Sequence, residues 1–308
     1  MADYITIIFA VIFFTAQFAF TKIFESSIKQ TKLTTYVMLI ITGLVGAILY
    51  LIIGGFKIQF SLVSVFWAVL FAFIMIPYYV LGIKVLSLGS VAIYSMFMML
   101  GGMAVPFLYG IIFLKETVTI GKILGSFLLS FFIFLQAMKG STKAPDKETD
   151  KAPDKKQKVL FFSLCLLIFF INGMTGVIAK AHQITDGSVD EISFTVISCL
   201  FIVILSIILM LPELFTLKKS EALSCIKETT KVKPLLSMIL IGVATYTGNF
   251  LHLLAAATVP ASVQFPLVSG GVIVLSALVS TLLFKEKLSK LELISIAGAF
   301  VSTFLFAF

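Results

Sequence analysis

The sequence predicts an all-α integral membrane protein in which ten transmembrane helices form two inverted five-helix repeats around a central cavity. Three observations predict this fold: the composition, ten apolar runs of spanning length, and an internal duplication. Of the 308 residues, 60% are hydrophobic and 12% are charged, and the mean hydropathy is +1.13. A water-facing surface needs more polar residues than this composition supplies.

The ten apolar runs are each close to the roughly 20 residues that cross a hydrocarbon core. They follow one another with short polar connectors and span residues 4–24, 33–54, 63–83, 88–114, 120–138, 159–179, 191–211, 235–257, 260–284 and 291–307. The first run is too long for the core of a signal peptide and has no basic segment before it. We therefore expect it to remain as the first span.

A charged segment at residues 139–158 separates the runs into two sets of five. The tetrapeptide Ala-Pro-Asp-Lys occurs twice in it, and such a composition is typical of a disordered linker. The sequence therefore divides into a first repeat at 1–138, the linker, and a second repeat at 159–308.

The two sets resemble each other when the chain is displaced along itself. A displacement of 170 residues aligns Lys115-Glu116 with Lys285-Glu286, and one of 158 residues aligns Lys22 with Lys180. Because five spans reverse the direction of insertion, the second copy is inverted relative to the first. Inverted repeats are associated with alternating-access transporters, whose substrate site lies near the midplane between the repeats.

The basic residues set the predicted orientation. All 23 are lysines, and nineteen of them lie in or next to the odd-numbered connectors. By the positive-inside rule these connectors face the cytoplasm and both termini face outward. The same placement explains the net charge of +8 without nucleic acid as a partner. Because arginine, the preferred phosphate clamp, is absent, a phosphorylated substrate would depend on lysine point charges.

The chain resembles the drug/metabolite transporter superfamily, in particular its ten-span members built from two EamA-type domains. The likeness is carried by residues 88–125 and 260–298. In each, a glycine-containing helix ends in an apolar-Lys-Glu turn, at Leu114-Lys115-Glu116 and Phe284-Lys285-Glu286, and a small-residue helix follows. The resemblance implies a basket of ten helices in which the first four of each repeat line a cavity. Many members have cytoplasmic termini, whereas the lysines here predict the reverse.

Enzyme function is not expected. No Asp or Glu lies in the middle of a predicted span, and no HExxH, GxSxG or P-loop pattern occurs. His182 and Asp186 fall in a predicted connector at a spacing that matches no acyl-transfer motif. Cysteines 165, 199 and 225 form no metal-binding pattern, so we expect neither a metal nor a cofactor.

Polar residues within the spans are the candidates for substrate binding, because polar groups facing lipid are costly and turn inward. The two asparagines of the chain, Asn172 and Asn249, both lie in spans. Each can form either an interhelical hydrogen bond or a substrate contact. The predicted site comprises Gln17, Tyr79, Tyr94, Asn172, Thr175, Tyr246, Asn249, His252 and Gln264.

The duplication groups several of these residues in pairs. Asn249 aligns with Tyr79, Gln264 with Tyr94 and Gln17 with Thr175. Corresponding positions of an inverted repeat face one cavity from opposite sides, so the pairs are expected to surround a central site. For the tyrosines the alternative is packing or an interfacial belt. For His252 it is a structural hydrogen bond.

These observations predict a secondary transporter that carries a small neutral or zwitterionic metabolite, such as an amino acid or a related compound, by alternating access. An organic cation or quaternary amine held by aromatic faces is an alternative substrate class. A membrane-embedded enzyme is the alternative from a different functional class. The expected partners are the substrate and the lipid bilayer, and the expected location is the bacterial cytoplasmic membrane.

Overall fold

A computed structural model describes residues 2–88, 91–140, 155–217, 219–284 and 290–305. The regular structure in these ranges is helical. It comprises eleven helices: α1 (Ala2–Ser27), α2 (Lys32–Ile53), α3 (Leu62–Leu88), α4 (Val91–Ile112), α5 (Ile120–Gly140), α6 (Lys155–Ile184), α7 (Glu191–Thr216), α8 (Lys219–Thr229), α9 (Val232–Ala256), α10 (Ala261–Phe284) and α11 (Lys290–Phe304).

Seven of the described helices are long and apolar enough to cross a membrane: α1, α2, α3, α6, α7, α9 and α10. Many of their large apolar side chains point outward, among them Phe66, Phe73 and Leu200. In water such a surface would aggregate, whereas lipid tails solvate it. The expected all-helical structure is confirmed for the described residues, and its seven helices of spanning length are consistent with an integral membrane protein. The crossing by all ten runs and the inverted repeat stay predictions.

Each of the ten predicted runs coincides with a helix, but the segment between the seventh and eighth runs was wrongly expected to be a loop. The helix α7 continues through Pro212 to Thr216, and residues 219–229 form α8. This helix escaped prediction because its sequence is short and polar. The helix α6 also runs past the predicted end at 179. Of the predicted linker, residues 141–154 lie outside the described part of the chain.

Local signals fix several helix ends. Thr31 and Thr34 form a capping box at the start of α2, and Asp190 accepts the backbone N–H of Ser193 at 2.9 Å to cap α7. The α2 end is a turn in which Gly55 and Phe56 both have φ of 59°. Prolines inside α3, α4, α7 and α10 remove one helical hydrogen bond each.

The chain forms two compact units, and neither follows the division into sequence repeats. Unit 1 comprises Met1–Val80 and Ile178–Ala257, and unit 2 comprises Leu81–Val177 and Thr258–Phe308. In unit 1, α1 packs on α9, and α2 packs on α7 and α9. In unit 2, α4 packs on α10 and α5 packs on α11. Each unit therefore joins helices from both halves of the sequence.

Small residues bring the helices together within each unit. In unit 1 a Cβ at Gly43 would lie 2.9 Å from the Val203 side chain, so α2 and α7 are in close contact there. In unit 2 a Cβ at Gly101 would lie 2.7 Å from the Cα of Phe169, which brings the α4 backbone against that of α6. Close backbone approach at small residues is the usual way in which membrane helices associate.

Candidate functional site

Five of the nine predicted site residues belong to unit 1, and the antiparallel helices α1 and α9 carry four of them. The ring of Phe14 in α1 meets the ring of His252 in α9 edge to face, with 6.2 Å between centroids. Further along, Phe24 of α1 packs in a cluster with Met238 of α9. Rising residue numbers in α1 thus correspond to falling numbers in α9.

Two carboxamides lie at one level of this helix pair. Gln17 is three residues beyond Phe14, and Asn249 is three residues before His252, so in antiparallel helices both are displaced in the same direction. Both residues are half-buried. Among the described residues, neither side-chain amide has a hydrogen-bond partner. Placing an amide in apolar surroundings without hydrogen-bond partners costs free energy. The two amides can therefore form hydrogen bonds with a polar ligand.

Tyr246 and Tyr79 contribute to the packing of the same unit. A Cβ at Gly46 would lie 2.6 Å from ring carbons of Tyr246, so that ring lies directly on the α2 backbone. The hydroxyl of Tyr50 donates to the Tyr246 carbonyl at 3.2 Å. Tyr79 of α3 packs against a buried cluster that includes Ile241 of α9. The structure therefore places Tyr79 beside the helix that carries Tyr246, and it gives Tyr246 itself a packing role.

Lys180 is a residue that the sequence analysis did not include in the site. Its ammonium donates to the carbonyl of Ala256, the last residue of α9, at 2.9 Å, and it interacts electrostatically with His252. A cation at a helix C-terminus is favourable because the unpaired carbonyls there carry partial negative charge. One feature of the sequence pointed to Lys180, namely its alignment with Lys22 in the duplication. It was left out of the site because the predicted span ended one residue before it.

The other four predicted site residues belong to unit 2, where Asn172 has a clear partner. Its amide nitrogen, in α6, donates to the Met98 carbonyl of α4 at 2.7 Å. The approach depends on Gly102, since a Cβ there would lie 2.7 Å from the Asn172 nitrogen. The hydroxyl of Thr175 donates to the Asn172 carbonyl at 2.7 Å. Of the two alternatives for Asn172, the structure contains the interhelical hydrogen bond.

Gln264 lies in the first turn of α10 and is fully buried. Two residues earlier, the backbone N–H of Ser262 donates to the Glu116 carboxylate at 2.8 Å. Tyr94, the predicted counterpart of Gln264, lies in α4, but its side chain is outside the described part of the structure. The expected pairing of Gln264 with Tyr94 therefore stays a prediction.

His182 was expected in a connector but lies buried in the last turn of α6. Its ring stacks on Phe194, with 3.8 Å between centroids, and its Nε2 lies 3.0 Å from the hydroxyl oxygen of Ser64. That oxygen also accepts the N–H of Val189 at 2.8 Å, which leaves its proton for the imidazole. These contacts of His182 connect α6 with α3 and α7. Because Ser64 and His182 are both fully buried, the serine hydroxyl is not accessible as a nucleophile.

An open cavity of about 850 Å³ lies at one end of unit 1. It is lined by residues 27–34 between α1 and α2, by the end of α7 and by α8. The ion pair of Lys32 with Glu213, 2.7 Å long, lies in its wall. The α8 residues facing it, Glu221 to Glu228, are spaced along one helical face. None of the nine predicted site residues lines this cavity.

Comparison with known proteins identifies the fold but no family. No protein-family profile and no curated protein matches the chain. A solved structure described only as "Crystal structure of protein" matches with a TM-score of 0.66 and 14% sequence identity. The match covers 99% of this chain and 96% of the other. At this identity the similarity shows that the chain shares the fold of that protein, and nothing about its activity.

Proposed function

We propose that the protein is a secondary transporter of the EamA type, which moves a small neutral or zwitterionic metabolite across the bacterial cytoplasmic membrane by alternating access. The observation that carries the proposal is the pair of half-buried carboxamides of Gln17 and Asn249, at one level of α1 and α9 and without partners in the described residues. Two such groups in apolar helices are costly unless a polar ligand uses them.

The packing within the units supports the same proposal. An internal duplication related by a two-fold axis places corresponding helices against each other across the axis. Under the sequence alignment α2 corresponds to α7, α4 to α10, and α5 to α11. These are helices that pack together in pairs. Such pairing is expected of the inverted repeats from which many transporters are built.

A neutral or zwitterionic substrate fits the charges better than a cation does. No carboxylate lies in the middle of a span, and the ammonium of Lys180 lies near His252. A cationic substrate would meet this positive charge without a nearby counter-ion. An enzyme fits less well because the serine–histidine contact that the structure contains is fully buried.

The test compares the two asparagines, which give a matched pair of variants. Purified protein is first screened by thermal shift against amino acids, amines, nucleosides and sugars, and a stabilising compound is then used for binding and for uptake into proteoliposomes. Asn249→Ala should weaken binding roughly tenfold, since a lost hydrogen bond contributes about 1.4 kcal/mol, and should leave the melting temperature unchanged. Asn172→Ala should lower the melting temperature and leave the affinity of the folded protein unchanged.

The opposite pattern would refute the site. If Asn249→Ala unfolds the protein while the remaining folded fraction binds normally, then Asn249 has only a structural role. If no compound of these four classes is bound or taken up, the transporter proposal itself fails.

A further inference from the structure

The first turn of α10 lies between two prolines and is weakly held by its own helix. Pro260 precedes the helix and Pro266 lies inside it. Because Pro266 has no N–H, the carbonyl of Ser262 cannot receive the usual helical hydrogen bond. The bond from the N–H of Gln264 to the Pro260 carbonyl, 2.9 Å long, closes the turn at its start. Gln264, a predicted substrate contact, belongs to this turn.

Glu116 provides an external tether for this turn. Its Oε2 accepts the N–H of Ser262 at 2.8 Å. This N–H is one of those at a helix N-terminus that have no partner within the helix, and a carboxylate there is favoured by the partial positive charge of the helix end. Glu116 belongs to the turn between α4 and α5, so the contact joins the first half of the sequence to the second.

The turn is built to hold the carboxylate in this position. Lys115 has φ of 54°, an uncommon value for a residue other than glycine, and the N–H of Glu116 donates to the Gly110 carbonyl at 3.0 Å. The side chain of Glu116 folds back over the end of α4. A Cβ at Gly110 would lie 2.9 Å from the same oxygen that accepts Ser262. The strained backbone at Lys115 and the absence of a side chain at Gly110 therefore both help to place the Glu116 carboxylate.

We propose that Glu116 is a positioning residue: its carboxylate fixes the first turn of α10 and thereby the placement of Gln264, and its release lets this turn reorient about Pro266. The tether itself does not depend on the proposed function. Only its effect on transport rests on that function, through the predicted contact of Gln264 with substrate. The duplication predicts the same tether from Glu286, which lies outside the described residues, to the start of α4.

The tether is tested by hydrogen exchange of the full-length protein in lipid nanodiscs, read on peptides that cover residues 258–268. Glu116→Ala should make the Ser262 amide exchange at least about tenfold faster, and Glu116→Gln should have a smaller effect because an amide oxygen accepts without charge. Gly110→Ala should resemble Glu116→Ala, since its methyl group displaces the carboxylate. Glu228→Gln removes a carboxylate that is paired with Lys231 on the exposed surface, and it should change nothing in this peptide.

Faster exchange confined to this peptide supports the proposal. Unchanged exchange, or equal acceleration along the rest of α10 and the other helices, would overturn it. In the uptake assay, with a compound found in the screen, Glu116→Gln should raise KM more than it lowers kcat, as Gln264→Ala should. If exchange responds as expected but the wild type takes up nothing, the tether stands and the proposed function fails. If the wild type transports and no Glu116 variant changes exchange or KM, the tether fails.

Discussion

Replacing Gly101 by alanine tests the closest backbone approach described in unit 2. The new Cβ would lie 2.6 Å from the carbonyl carbon and 2.7 Å from the Cα of Phe169, whereas carbon atoms pack best at about 3.5 to 4.0 Å. The α4 and α6 helices would have to separate by about 1 Å. Overpacking of this kind costs about 1 to 3 kcal/mol. The separation would also stretch the bond from Asn172 to the Met98 carbonyl, which adds about 1 kcal/mol.

The neighbouring glycine is the matched control. A Cβ at Gly102 would meet only the terminal nitrogen of Asn172, at 2.7 Å, and that side chain can move without displacing a helix. Thermal unfolding in detergent, followed by tryptophan fluorescence and by size exclusion, should show a much larger loss of stability for Gly101→Ala than for Gly102→Ala. Equal melting temperatures for the two variants, or a Gly101→Ala protein as stable as wild type, would refute the close approach of these backbones.

Three further predictions concern topology, exposure and the buried imidazole. A reporter fused after Phe308 should be active only outside the cytoplasm, and one inserted at Ala144 only inside; opposite activities would show that the lysine count misassigns the orientation. Cys225 should react with a membrane-impermeant maleimide from the cytoplasmic side, while the two buried cysteines stay unlabelled in the folded protein; labelling from outside alone would contradict this. Ser64→Ala should lower the free energy of unfolding by about 1 to 3 kcal/mol, because it leaves the Nε2 of His182 buried without a partner. Denaturant titration should detect this loss. A variant as stable as wild type would show that the bond contributes no net stability.

The positions of the helices could largely be predicted from the sequence, because the length of an apolar run is a local property of the chain. The exception is α8, whose short and polar sequence gives no span signal. The preceding helix, α7, also continues beyond its predicted end, with Pro212 inside it. Which helices make up each of the two compact units could not be predicted from the sequence. Whether α1 packs on α9 depends on side-chain complementarity between segments more than 200 residues apart, which no local pattern encodes.

For the candidate site, the cost of burying a carboxamide singled out both asparagines, but it could not separate their roles. Asn172 finds its acceptor on Met98, in a distant part of the sequence, whereas Asn249 finds none among the described residues. Lys180 was missed because the predicted span stopped at residue 179. Glu116 was recognised as part of a repeated motif, but its acceptor role needs the position of Ser262.

The interleaving of the two sequence halves in unit 1 has a consequence for how the protein is made. A ribosome releases α1 and α2 long before α9, which begins at Val232. Until α7 and α9 follow, Gly43 and Gly46 of α2 lack the side chains of Val203 and Tyr246 that pack on them in the complete protein. These faces of α2, and the face of α1 that packs on α9, must therefore remain without their final partners while much of the chain is synthesised. Insertion and assembly are separated in time, and the early helices depend on lipid or on an insertase to cover surfaces that α7 and α9 later occupy.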